Sequence, residues 1–168
     1  MGTDALGRDL LTRVLYGGRI SLSVGLIVVG ISLAIGIPVG ALAGYYGGKI
    51  DSALMRITDA FLSLPSFLIV ILLGTIISEG DISFLKGNSV WTIGLVIGSL
   101  SWMTFARLVR ATFLTVRELD YVSAARALGG SDSRIIIRHI LPNVIGPVIV
   151  ESTLEMGYAI VQDRKSVV

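Results

Sequence analysis

Three stretches of this chain carry no charged side chain: Ile20 to Gly48 with 29 residues, Ala60 to Ser78 with 19, and Gly87 to Ala106 with 20. About 20 consecutive apolar residues span the hydrocarbon core of a bilayer as a helix, the open-ended element that satisfies every backbone polar group within its own segment. A fourth stretch, Ile140 to Gln162, is interrupted only by Glu151 and Glu155. Composition agrees, since 15% of residues are charged and 53% hydrophobic, against about 25% charged in soluble domains. Mean hydropathy is +0.82. The expected fold is all-α and polytopic, a helical bundle with membrane helices over about 20–45, 58–78, 88–112 and 142–161. Residues 1–19 precede this domain, 20–162 form it, and 163–168 are a charged tail.

Charge distribution orients the loops. From Arg107 to His139 there are six arginines against Glu118, Asp120 and Asp132, whereas Glu79 to Lys86 holds two acids and one lysine. Positive loops stay on the cytoplasmic side, which puts the 107–141 loop inside. Counting crossings backward puts Lys49 to Arg56 inside as well and Gly2 to Arg19 outside. Arg107 and Arg110, where the third membrane helix ends, are expected to snorkel toward lipid headgroups.

Leu6, Leu10, Leu11, Val14 and Leu15 recur at helical spacing opposite Arg8, Asp9, Thr12 and Arg13. This predicts an amphipathic helix capped by Thr3 or Asp4, lying along the interface and broken from the next helix at Gly17-Gly18. A plain extension of that next helix is the alternative. Ser32, Gly36, Gly40, Gly44 and Gly48 fall four residues apart, so one face of the first membrane helix lacks bulk and invites close packing. Pro38 and Pro65 are expected to bend their helices, and Tyr45 and Trp91 to sit as interfacial rings.

The central loop, 117–142, reads as helix, bend, helix. Ala124, Ala125 and Ala127 make a short helix of little bulk, Gly129 or Gly130 supplies the positive φ that ends it, and Ser131 caps the next helix until Pro142 forces a new start. A partner can approach such a backbone closely. Other chemistry finds no support in these residues. There is no cysteine, and His139, the one histidine, has no Asp, Glu or Cys at metal-ligand spacing. Gly44 to Ile50 contains a Gly-Lys pair but neither the first glycine nor the hydroxyl of a P-loop. The central arginines are balanced by acids and lack interleaved aromatics, which argues against nucleic acid. No enzyme site, metal or cofactor is expected.

The spacing Ala124-Ala125, Gly129, then Leu141-Pro142 resembles the cytoplasmic coupling motif of permease subunits of bacterial ABC importers. The glutamate that commonly opens that motif is Ser123 here, and the usual isoleucine two residues before the leucine is His139. Gly2 to Leu22 is similar to the segment preceding the second membrane helix in dipeptide, oligopeptide and nickel permeases. The resemblance implies a multi-pass protein of the bacterial cytoplasmic membrane that moves di- or oligopeptides inward. It implies partners: ABC ATPase subunits gripping Ala124, Ala125, Ala127, Leu128, Gly129, His139, Leu141 and Pro142, a second permease subunit, and an extracytoplasmic solute-binding protein. It also implies six membrane helices, one before Gly2 and one after Val161 in addition to the four above. The chain thus reads as a fragment whose tail, Asp163 to Val168, looks like translated adaptor sequence.

Glu151 and Glu155 share a helix face one turn apart and need water or a partner inside a membrane. They are read either as part of the substrate pathway or as pairing groups for an arginine or a sister subunit. A nickel permease, a non-transporting assembly subunit and a proton-coupled carrier remain alternatives.

Overall fold

A computed structural model describes residues 10–79 and 89–165, all but a few of them helical. The helices are α1 (Leu10–Tyr46), α2 (Gly48–Ser63), α3 (Ser66–Glu79), α4 (Ser89–Val116), α5 (Asp120–Ala127), α6 (Asp132–Ile135) and α7 (Leu141–Lys165). A π-helical turn, Ile136–Ile140, joins α6 to α7. The proposed cap at Thr3 or Asp4, the loop residues Asp81 and Lys86, and the end of the tail lie outside the described residues.

The centre of the fold is the α1/α4 pair, and its closeness follows from missing side chains. A Cβ at Gly36 would lie 2.6 Å from Phe105 Cβ, at Gly40 2.5 Å from the Ala106 carbonyl oxygen, and at Gly44 2.5 Å from Phe113 Cβ. In return, Gly94 and Gly98 of α4 lie against Ile27 and Ile31 of α1. Ser32 is fully buried and its hydroxyl donates to the Gly98 carbonyl oxygen at 3.3 Å. Residue numbers rise together on both sides, so α1 and α4 run parallel. Gly48 leaves this face, because α1 ends at Tyr46 and Gly48 opens α2.

Two helices in parallel require the chain between Tyr46 and Ser89 to return along their length. It does so in two pieces. Leu64 takes φ −80° and ψ 137°, the extended geometry that the ring of Pro65 imposes on its predecessor. One bent helix over 58–78 is therefore replaced by α2 and α3, with α2 starting ten residues earlier, at Gly48. Among the described residues three helices are long and apolar enough to cross a membrane: Leu15–Tyr46, Trp91–Val116 and Asp132–Tyr158.

α1 runs through Gly17-Gly18 without a break, so the extension alternative describes the backbone from Leu10. α7 runs antiparallel to α1: Ile140, Val144 and Val148 are buried in the same cluster as Tyr45, while Met156 lies against Gly25. Pro142 does not restart the helix. It has no N–H to donate and its ring would clash with the Arg138 carbonyl in a regular α-helix; the chain widens by one residue instead, with the Leu141 N–H donating to the Ile136 carbonyl. Leu22, Leu26, Ile35, Leu42, Ile149 and Leu154 are exposed on the long apolar helices, the surface expected of helices solvated by lipid.

Candidate docking surface

The α5 hairpin stands at the end of the bundle where α1 and α4 finish. Val122 is fully buried and Ala125 half-buried against the core, whereas Ala124, Ala127 and Leu128 are exposed, Leu128 to 88%. The bend after α5 is a Schellman motif. The Gly130 N–H donates to the Ala125 carbonyl at 3.1 Å and the Gly129 N–H to the Arg126 carbonyl at 3.0 Å. Gly129 supplies the left-handed conformation, φ +79°. Ser131 occupies the N-cap position of α6 but makes no side-chain cap; its carbonyl accepts from the Ile135 N–H at 3.0 Å.

The hairpin is held at two points. At one, the Asn143 side-chain amide of α7 donates to the Tyr121 hydroxyl at 3.0 Å and to the His139 carbonyl at 2.9 Å. His139 thus contributes its backbone oxygen. At the other, the buried Tyr45 hydroxyl donates to Asp132 Oδ1 at 2.6 Å, and the Arg126 guanidinium lies 5.8 Å from the centroid of the same ring. Tyr45 is 7% exposed, so it is a core residue and not an interfacial ring.

Three arginine contacts fix the floor. Arg117 Nη1 donates to the Gly44 and Tyr45 carbonyls at 2.9 and 3.3 Å, capping the C-terminus of α1 from α4. Arg110 grips Asp51 of α2 through Nε and Nη2, and Arg107 meets Asp59 at 2.5 Å. Both arginines form ion pairs with α2, partners that the reading of them as lipid-facing charges did not include. The Arg110 hydrogen bonds hold the Asp51 carboxyl below the usual carboxylate range, aided by the charges of Arg110 and Arg117 and opposed by burial.

The sequence of this chain has counterparts among known proteins. Residues 36–162 match the family described as binding-protein-dependent transport system inner membrane component. The chain belongs to that family. It is 40% identical over 161 residues to a dipeptide transport system permease protein of Alkalihalophilus pseudofirmus, covering 96% of this chain and 50% of the relative. The Bacillus subtilis dipeptide permease is 42% identical over 95% of this chain and 47% of its own length. An oligopeptide transport system permease protein of Haemophilus influenzae is 43% identical over 92% and 47%. The chain spans about half the length of these relatives. As a member of an inner membrane component family with three apolar helices of sufficient length, it is an integral membrane protein.

Within this transport-component chain, the residues singled out from sequence fall in three places. Ala124, Ala125, Ala127, Leu128 and Gly129 form the hairpin, with His139, Leu141 and Pro142 at its root in the π turn and the start of α7. Ser32, Gly36, Gly40 and Gly44 lie in the α1/α4 contact, away from the hairpin tip. Glu151 and Glu155 are half-buried on α7 and form no ion pair among the described residues. Sequence reasoning missed Tyr45, Arg117, Tyr121, Asp132 and Asn143 as a group. Each is a common residue type, and 87 positions separate Tyr45 from Asp132.

Proposed function

We propose that the chain forms the membrane-spanning core of a permease subunit in an ATP-driven importer of di- or oligopeptides. A separate ABC ATPase grips α5 from the cytoplasm, and its closure on ATP pushes the hairpin and rocks the helices rooted beneath it. The observation that carries this reading is the hairpin itself. Its outer face is small and exposed while Val122 anchors its inner face in the core, so a partner can seat on it and push the bundle as one body.

The six arginines favour the cytoplasmic side for this end, and the parallel α1/α4 pair brings Lys49 to Arg56 to that same end. The similarity to dipeptide and oligopeptide permease proteins favours peptides over nickel, and over a non-transporting assembly role. A second permease subunit would cover the apolar helix faces left open, and an extracytoplasmic solute-binding protein would deliver substrate. The reading assigns Glu151 and Glu155 to the substrate pathway, since carboxylates half-buried on a membrane helix can meet a peptide's amine, with pairing to a sister subunit as the alternative.

The test is co-purification of the ATPase with the full-length permease. Leu128→Asp and Ala124→Glu change exposed positions, so the permease inserts normally and its ATPase is lost. Retention of the ATPase by both variants overturns the reading. Ala125 is a poorer choice because it packs inward.

A further inference from the structure

We propose that Tyr45 is a positioning residue that couples the α5 hairpin to the α1/α4 pair, acting as a latch through Asp132 and Arg126. The proposal rests on the reading of α5 as the ATPase-docking helix and adds how its motion reaches the membrane helices.

Eight residues are too few for a helix to hold itself in water, so outside contacts set the position of α5. Its exposed tip makes none of them. Val122 and Ala125 supply apolar contact, which resists separation but slides easily because it has no direction. Direction comes from polar contacts, and the side chain of Tyr45 has one with each arm of the hairpin. The hydroxyl meets Asp132 at the start of α6, after the bend. The ring face meets Arg126 in the last turn of α5, before the bend. A phenol donating to a carboxylate is charge-assisted and short, and the cation over the ring adds to it.

The backbone beneath Tyr45 is fixed as well. Arg117, immediately after α4, holds the Gly44 and Tyr45 carbonyls, and a Cβ at Gly44 would meet Phe113 and Arg110 of α4. A displacement of α5 is therefore passed to Tyr45, and from it to α1 and α4 together. The Tyr121 to Asn143 contact ties the other end of α5 to α7, and it reaches the α1/α4 pair only through the apolar packing of α7 against it. Without the Tyr45 hydroxyl the arm after the bend loses its polar tie to α1, and Arg126 over the ring is, among the described residues, the one polar contact left between the hairpin and Tyr45.

Tyr45→Phe removes one oxygen and keeps the ring, and Asp132→Asn keeps the shape while weakening the acceptor. Hydrogen exchange on the full-length transporter, with its ATPase bound and with ATP added, reads both. Wild type is expected to show an ATP-dependent change in exchange at residues 120–127 and a matching one at residues 43–47. In either variant the change at 120–127 persists and that at 43–47 is reduced, because Arg126 over the ring is the only polar tie left from the hairpin to Tyr45 among the described residues. Basal exchange of 120–127 becomes faster by roughly tenfold, the scale of one charge-assisted hydrogen bond.

A role confined to stability would instead speed exchange throughout the bundle and leave the response at 43–47 in place. A wild-type response at 120–127 without one at 43–47, or variants whose response at 43–47 is as large as that of wild type, overturns the latch. No response at 120–127 in wild type would count against docking on α5 itself, so the two failures are distinguishable.

Discussion

Arg110 of α4 holds both carboxylate oxygens of Asp51, 59 positions earlier on α2, in a two-pronged grip. The pair is partly buried and fastens the first turn of α2 across the base of the α1/α4 pair. Because Arg110 lowers the Asp51 pKa in the folded protein, the stabilisation is full above the ordinary carboxylate value of about 4 and is lost as pH falls through the lowered one. The thermal midpoint in detergent should drop on acidification below about pH 4 in wild type, and Asp51→Asn should remove that part of the drop. Equal acid sensitivity in both proteins would contradict the assignment.

Gly40 meets backbone, which cannot rotate away. Gly40→Ala places a methyl 2.5 Å from the Ala106 carbonyl oxygen, so α1 and α4 must separate. The expected cost is about 1–3 kcal/mol. Gly30, where a Cβ would meet nothing within 4 Å, is the control, and Gly30→Ala should be near neutral or mildly stabilising. Chemical unfolding in detergent compares the two, and equal effects would refute the packing.

Arg117 reaches across to α1 and satisfies two of its last carbonyls. Arg117→Met keeps most of the side-chain length and loses the donors, at a cost of about 1.5–3 kcal/mol. Faster hydrogen exchange localised at the end of α1 should accompany it. An unchanged unfolding midpoint would show that water replaces the cap at no cost.

Glu151→Gln and Glu155→Gln separate the two readings of the acid pair. On the pathway reading, both variants assemble normally and peptide uptake by the full transporter falls. If uptake is normal and assembly with the second permease subunit fails, the carboxylates belong to an interface.

Much of this fold is legible in the sequence because membrane solvation leaves few choices. Uncharged runs fix the long helices, and glycines spaced by four fix the face of α1 that meets α4. Gly129 at the end of an alanine-rich helix marks the bend. What escapes is anything decided between distant residues. Pro65 splits a helix that apolarity alone reads as continuous. Pro142 reads as a stop, yet one extra residue in the turn absorbs its missing donor. Arg107 and Arg110 look like lipid-facing charges until α2 brings Asp59 and Asp51 to them. Tyr45 looks like an interfacial ring, and only the fold reveals Asp132 within reach of its hydroxyl.

The most direct measurement uses the absence of cysteine from these 168 residues. A single cysteine is placed at Leu128 in the full-length permease, in a background free of other cysteines, and a short bifunctional reagent is applied to the assembled transporter. Leu26, exposed on the membrane face of α1, serves as the control position. The account predicts an adduct between the permease and its ATPase from Leu128→Cys and none from Leu26→Cys. An assembled, ATP-hydrolysing transporter that yields no ATPase adduct from Leu128→Cys would contradict it.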